Sequence, residues 1–231
     1  MDFQPGAYFD FQETDHSELF EDVIDVWEAL PKIKDYVVEK VAGVPLDERI
    51  QGQIHPTAQV GTDVVIGPGT VVEAYAVIKG PAWIGSDSTI RSGAYLRENL
   101  IIGNKCTLGN SSEFKNCVLF NRCEVPHFNY VGDSILGYRA HLGAGVICSN
   151  VRLDRKDVKL RLRGGDKLNT GLRKFGAIIG DYTEVGCNSA LSPGSILGPH
   201  SIIYPLTSWT GILAANKVVK NRALIEIVGR D

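Results

Sequence analysis

The chain has 231 residues, 44% of them hydrophobic, and a formal net charge of −3, enough to bury one substantial core. It holds no run of about 18 apolar residues and its start is acidic, so neither a membrane-spanning helix nor a basic-then-apolar leader is expected. Five cysteines, an odd number without CxxC spacing, read as reduced thiols of the cytoplasm rather than a disulfide frame or a zinc site.

The charge is unevenly spread. Residues 1–31 carry nine acids and no Lys or Arg, whereas residues 152–174 carry nine Lys or Arg against three Asp. Such a basic stretch concentrates positive potential where an anion can dock. It lacks the interleaved aromatics that stack on bases, so nucleic acid is not an expected partner.

Residues 1–50 are predicted to form an N-terminal helical cap. Ser17 can cap a first short helix with Phe20, Val23, Ile24, Trp27 and Leu30 on its apolar face. Pro31 ends or kinks it, and Ile33, Tyr36, Val37 and Val41 continue the pattern in a second. An open solenoid end exposes core and strand edges, so the pair is expected to cover the first coil.

From Val60 a bulky apolar residue recurs every six positions: Ile66, Val72, Ile78, Ile84, Ile90, Leu96, Ile102, Leu108, Phe114 and Phe120. Two residues before each anchor stands a small or β-branched residue, with Leu100 the exception, and Gly often follows, as at Gly61, Gly67, Gly85, Gly103 and Gly109. A six-residue period of this kind marks a mainly β chain wound as a parallel β-helix of hexapeptide repeats. One step after Phe120 both rules fail, with Glu124 in the small inward position and Pro126 in place of the anchor. Register returns at Leu142 and Cys148, then from Ile179 to Trp209. Residues 152–176 depart from it, and their apolar-polar alternation around Gly164-Gly165 predicts a protruding hairpin loop. The β-helix is assigned to residues 51–215, with a C-terminal tail over 216–231. Stacked at ~4.8 Å, the repeats make about seven coils.

Three hexapeptides per coil place residues eighteen apart above one another. One corner column then reads Gly61, Lys79, Arg97 and Lys115, and another Glu73, Arg91, Gly109 and His127. Three cations about 5 Å apart repel unless solvated or bridged. The column is therefore either a wet basic ridge or a phosphate site.

The break at Pro126 adjoins Glu113-Phe114-Lys115, then His127-Phe128-Asn129-Tyr130-Val131-Gly132-Asp133, then Gly143-Ala144-Gly145 and Asn150. Here residues 85–205 resemble the acetyltransferase half of the bifunctional glucosamine-1-phosphate acetyltransferase/N-acetylglucosamine-1-phosphate uridyltransferase family. That resemblance implies a left-handed β-helix, a homotrimer, and acetyl-CoA as donor with no metal required. It assigns His127 as general base, a role that suits an imidazole of pKa about 6.5 facing an ammonium acceptor. Asn150 would position the reacting group, Tyr130 would bind the sugar, and Lys115 would hold the sugar phosphate with an Arg from one coil earlier. The eighteen-residue spacing favours Arg97 for that Arg, and the Arg-x-Gly-Ala context favours Arg91. Glu113 opens the motif. Ala144 and Lys174 correspond to donor contacts, as does Cys187, for which a buried neutral thiol is an equal reading. His141 replaces a family Asn near the sugar, Val151 replaces a Tyr, and the basic loop adds about 18 residues before Lys174.

The expected activity is transfer of acetyl to the amine of a hexosamine 1-phosphate, glucosamine 1-phosphate being favoured, in nucleotide-sugar synthesis. The chain shows no Gly-rich nucleotide loop, so a separate sugar-1-phosphate nucleotidyltransferase would complete the route. A non-catalytic trimeric scaffold or regulatory subunit, or an acyltransferase for a different amino sugar, is the alternative. A γ-type carbonic anhydrase is disfavoured, because His16, His55, His127, His141 and His200 include no closely spaced pair.

Overall fold

The structure is a computed structural model that describes residues 2–162 and 165–221. Its backbone winds through three parallel faces. The first face holds nine strands, from Gln53–Ile54 through Glu124–His127 to Val218–Val219. The second runs from Gln59–Val60 to Ser208–Trp209 and the third from Val64–Ile66 to Ile212–Leu213, each of eight strands. Among the described residues the solenoid therefore has nine rungs rather than seven. Its last strand lies inside the expected tail, of which residues 222–231 fall outside the described residues.

The repeat is explained by what each position does. Ile54 pairs with Val72, Val60 with Ile78 and Ile66 with Ile84, so every anchor stacks on the anchor of the next coil. From Ile66 to Ile203 the inward anchors are buried, forming one continuous core. The small inward residues meet the coil where it turns. Thr70 Oγ1 donates to the Gly85 carbonyl at 2.6 Å, and Ser88 Oγ to that of Gly103 at 3.1 Å. A larger residue there would displace the corner and orphan its carbonyl.

The slip occurs one corner earlier than the sequence suggests. Strand Glu113–Leu119 runs seven residues straight through the corner between the second and third faces. Leu119, not Phe120, points inward and pairs with Ile102 and Leu136, while Val125, not Pro126, is the next anchor and pairs with Leu108. Strand Tyr130–Leu136 repeats the shortened corner. Phe120 faces outward, its ring 4.9 Å from that of Phe9 and 5.8 Å from that of Phe20.

That outward ring belongs to a second core. Val65, Ile101, Val118, Ile135, Ile178 and Ile196, the outward centres of the third face, form an apolar stripe along the solenoid flank. The N-terminal segment lies on this stripe through Val26, Trp27, Leu30, Ile33, Val37 and Val41, so it is a side wall and not a cover for the first coil. Ile54, Ala58 and Val60 of that coil are only partly buried. An amphipathic segment goes where apolar area is largest, and each fully buried aliphatic side chain contributes about 1.5–3 kcal/mol. Short 3₁₀ turns at Ser17–Phe20 and Val26–Lys32 lead into the single α-helix of the described residues, Ile33–Ala42. Ser17 makes no side-chain cap; Asp25 and Glu28 form a reciprocal capping box instead.

The basic loop does form a hairpin, with Lys159–Arg161 antiparallel to Lys167–Asn169. It does not stand free. Val158, Leu160 and Phe175 are buried against the coils. Gly194, at φ +79°, permits this contact, since a Cβ there would stand 2.6 Å from Val158. Gly164 of the expected turn lies outside the described residues. Among the described residues no helix is long and apolar enough to cross a membrane.

Candidate functional site

Two corner columns bound the second face, and the chemistry-bearing residues fall on them. The first column holds Asn110, His127, Ala144 and Cys187 on successive rungs. The amide of Phe128 donates to Asn110 O, that of Gly145 to His127 O, and that of Asn188 to Ala144 O. His127 ends the strand Glu124–His127, and its side chain is exposed. Its backbone is held by Asn129, which is 3% exposed. Asn129 Oδ1 accepts from the His127 amide at 3.0 Å, and its Nδ2 donates to the Gly143 carbonyl at 2.8 Å. Asn129 thus does for this corner what a turn of backbone hydrogen bonds would do. Cys187 is exposed, which removes the buried-thiol reading; the other four cysteines are buried core residues with no disulfide. Burial pushes the Cys148 thiol up to about 12, so it stays neutral.

The second column lies at the shortened corner between the second and third faces. Asp133 is its hub, 4% exposed. It accepts from Lys115 Nζ at 3.4 Å, from Asn116 Nδ2 at 3.0 Å, and from Asn150 Nδ2. Asn150 Nδ2 also approaches the Tyr130 hydroxyl at 3.2 Å. Gly132 makes room for this group, because a Cβ there would stand 2.6 Å from the Tyr130 hydroxyl and 2.7 Å from Asn150 Nδ2. Arg97 Nη1 donates to Glu113 Oε1 at 2.9 Å. Burial raises the Tyr130 hydroxyl pKa, so it remains a neutral donor.

The basic column is not an array of bare cations. Lys79 sits over the Tyr95 ring at 5.2 Å, Arg97 pairs with Glu113, and Lys115 pairs with Asp133. Arg97 and Lys115 thus carry their own counter-charges and Lys79 lies against an aromatic face, which offsets the expected repulsion without a bound anion. Arg97 stands one rung below Lys115, its amide bonded to Phe114 O. Arg91 stands at the other corner, one rung below Gly109, its amide bonded to Leu108 O.

Two assigned residues lie apart from these columns. His141 is on the first face, between Glu124 and Glu184, with Nδ1 2.6 Å from Glu184 Oε2. Lys174 is exposed at the end of the hairpin loop, next to Phe175, whose amide donates to Asn150 O at 3.0 Å. Ile147, from the second face's outward row, adjoins Tyr130. Sequence reasoning missed Asp133 and Asn129. Both stood inside the quoted motif, but a short polar residue reveals its role only when its burial is known.

Comparison with known proteins places this region. The GMPPB C-terminal domain family matches residues 78–163, a stretch that contains both Arg candidates, Glu113, Lys115, His127, Tyr130, His141, Ala144 and Asn150. A bifunctional sugar-1-phosphate nucleotidylyltransferase/acetyltransferase of Sulfurisphaera tokodaii is 38% identical over 88 residues, 38% of this chain and 22% of that protein. The bifunctional protein GlmU of Methanococcus vannielii is 40% identical over 86 residues, 37% of this chain and 20% of that protein. The chain thus spans about a fifth of the length of these relatives. The acetyltransferase domain of PglB from Neisseria gonorrhoeae, solved with acetyl coenzyme A, covers 81% of this chain and 62% of its own at 16% identity and a TM-score of 0.33. The resemblance to the bifunctional nucleotidyltransferase/acetyltransferase family is borne out by these curated relatives.

Proposed function

We propose that the chain is a CoA-dependent N-acetyltransferase that moves acetyl from acetyl-CoA to the amine of a hexosamine 1-phosphate, glucosamine 1-phosphate first among them. One observation carries this reading. His127, Ala144 and Cys187 share one corner, and Lys115, Asp133 and Asn150 share the corner across the same face. A donor arm laid along the first column and a sugar phosphate held by the second would meet over Tyr130.

In this reading His127 removes a proton as the amine attacks the thioester carbonyl, the C–N bond forms, and the C–S bond breaks. The same imidazole then returns the proton to the departing thiolate. Lys115 and Arg97 keep their carboxylate partners and use their remaining N–H groups to donate to the sugar phosphate. Because Asn150 spends its amide hydrogens on Asp133 and Tyr130, its carbonyl is left to accept from the incoming amine.

The exposed corner favours a homotrimer in which a second copy closes the site, because Phe128 beside His127 is 60% exposed and Leu206, three rungs on, is 68% exposed. The cytoplasm is the compartment that supplies acetyl-CoA and keeps Cys187 reduced. The product, an N-acetylhexosamine 1-phosphate, suits a nucleotidyltransferase as the next enzyme. The test is thiol release from acetyl-CoA with glucosamine, galactosamine and their 1-phosphates. His127→Ala should lower kcat by about 10²–10⁴-fold with an unchanged melting temperature. A variant with normal turnover overturns the mechanism.

A further inference from the structure

We propose that the groove between the basic hairpin and the upper coils binds a nucleotide, a base with two phosphate groups, that forms the remote end of one of the substrates. The proposal rests on the acetyltransferase reading only for which substrate carries that nucleotide.

The groove has a cavity of about 910 Å³, within the size range of small-molecule sites. Its floor is the upward continuation of the second corner column. Ser149 bonds through its amide to Leu191 O, and Ser192 through its amide to Trp209 O, so Ser192–Gly194 and Thr210–Gly211 lie one and two rungs beyond Ser149-Asn150. At ~4.8 Å per rung, the floor starts within one sugar's length of the proposed reacting centre. The floor offers flat, small surface at Pro193, Gly194 and Gly211, with paired hydroxyls where Thr210 Oγ1 donates to Ser192 Oγ at 2.8 Å. That combination suits a planar base and its ribose.

The wall supplies the charge. Arg152, Lys156, Lys159, Arg161 and Lys167 line the groove against two carboxylates, Asp154 and Asp157. Asp154 is already held by Arg152, which donates to it through Nε and Nη2. Among the described residues no carboxylate lies within 4.0 Å of Lys159, Arg161 or Lys167. Arg161 and Lys167 are directly opposed across the hairpin. Like charges in that position destabilise a two-stranded sheet. The strands alternate, with Leu160 buried on the coil while Lys159 and Arg161 are exposed. The buried contacts of Val158, Leu160 and Gly194 thus hold an electrostatically costly platform rigidly in place. A phosphate pair bridging these cations removes the cost, which inorganic counter-ions in free solution do only weakly.

Two substrates could bring this chemistry, the acyl donor or a nucleotide-linked amino sugar. Calorimetry of the full chain with adenosine 3′,5′-bisphosphate, uridine 5′-diphosphate and inorganic phosphate separates them. One of the two nucleotides should bind with Kd below about 1 mM, at least about tenfold tighter than phosphate. Arg161→Glu and Lys167→Glu should each weaken it about tenfold or more. Arg161→Lys should keep most of the affinity, and thermal melts should show both Glu variants folded. Preference for the adenosine compound assigns the groove to the donor, whose arm then crosses the second face from the groove to the first column; preference for the uridine compound assigns it to a nucleotide-linked acceptor in place of the hexosamine 1-phosphate. Absence of binding by either nucleotide at millimolar concentration, or binding that survives both charge reversals, overturns the proposal. None of these readouts needs turnover. A chain that binds nucleotide but transfers no acetyl overturns the proposed activity alone, and one that transfers acetyl without binding nucleotide overturns the groove alone.

Discussion

Asp133 shows how much one carboxylate can organise. It is acceptor-only, nearly excluded from water, and takes donors from Lys115, Asn116 and Asn150. A buried carboxylate must be matched by donors in this way, or its charge would be too costly to keep. The match also fixes which end of the Asn150 amide faces outward. Asp133→Asn preserves shape but places an NH₂ group against other donors, so Asn150 must rotate and Lys115 loses its partner. Misplacement of about 1 Å at a reacting centre costs up to ~10²-fold, so this variant should lower kcat by one to two orders of magnitude. A KM for acetyl-CoA that stays near the parent value, measured by thiol release, distinguishes this positioning role from general unfolding. His127 stood out in the sequence by motif. Asp133 did not, because its importance lies in burial, and the repeat alone does not say that the corner beneath it is shortened.

At the scale of elements, the N-terminal wall was legible as helical and apolar but not as to where it docks. The hydrophobic spacing of Leu30, Ile33, Val37 and Val41 shows that one face must be buried. The receiving surface, the outward centres of the third face, is spread over the whole chain and mimics ordinary strand composition. The same wall decided the slip. A five-residue step from Phe114 left Leu119 and Phe120 as rival anchors, and the aromatic cluster of Phe9, Phe11 and Phe20 draws Phe120 outward. His16 makes this docking pH-sensitive. It is buried between Tyr36 and Trp83, and burial pushes its pKa down to about 4. The neutral ring is the folded form, so its contribution is complete above about pH 6.5 and is lost as pH falls through about 4. Asp181, pushed up to about 6 by burial, acts with the opposite sign, its contribution fading as pH rises from about 4 to 6. Melting followed by tryptophan fluorescence should therefore show more stability lost on acidification in the parent than in His16→Gln, in which only the opposing Asp181 contribution remains. An identical pH profile in that variant would exclude His16 as the source.

At the scale of the molecule, nine rungs form a one-dimensional stack in which each coil is supported by its neighbours. Its ends are the weak points, since Ile54 and Val60 at one end and Trp209, Leu213 and Val219 at the other are only partly buried. The exposed corner at Phe128 is the surface through which the proposed trimer would form. Phe128→Asp should shift the sedimentation coefficient from trimer to monomer and abolish turnover while leaving the melting of Trp27 and Trp83 intact; a variant that remains trimeric places the interface elsewhere. The slip sets His127 above Asn110 and not above Gly109, whereas by itself the sequence determined the period, the basic stacking column, the hairpin and the residues of the motif. These are properties of spacing, and spacing is read directly along a chain whose contacts repeat every coil. Only the tertiary structure decided the site of the slip, the pairing of Arg97 and Lys115 with their own carboxylates, the flank on which the N-terminus lies and the basic groove above Asn150. Each of those depends on contacts between residues far apart in sequence, where burial and competition among neighbours, not periodicity, select the outcome.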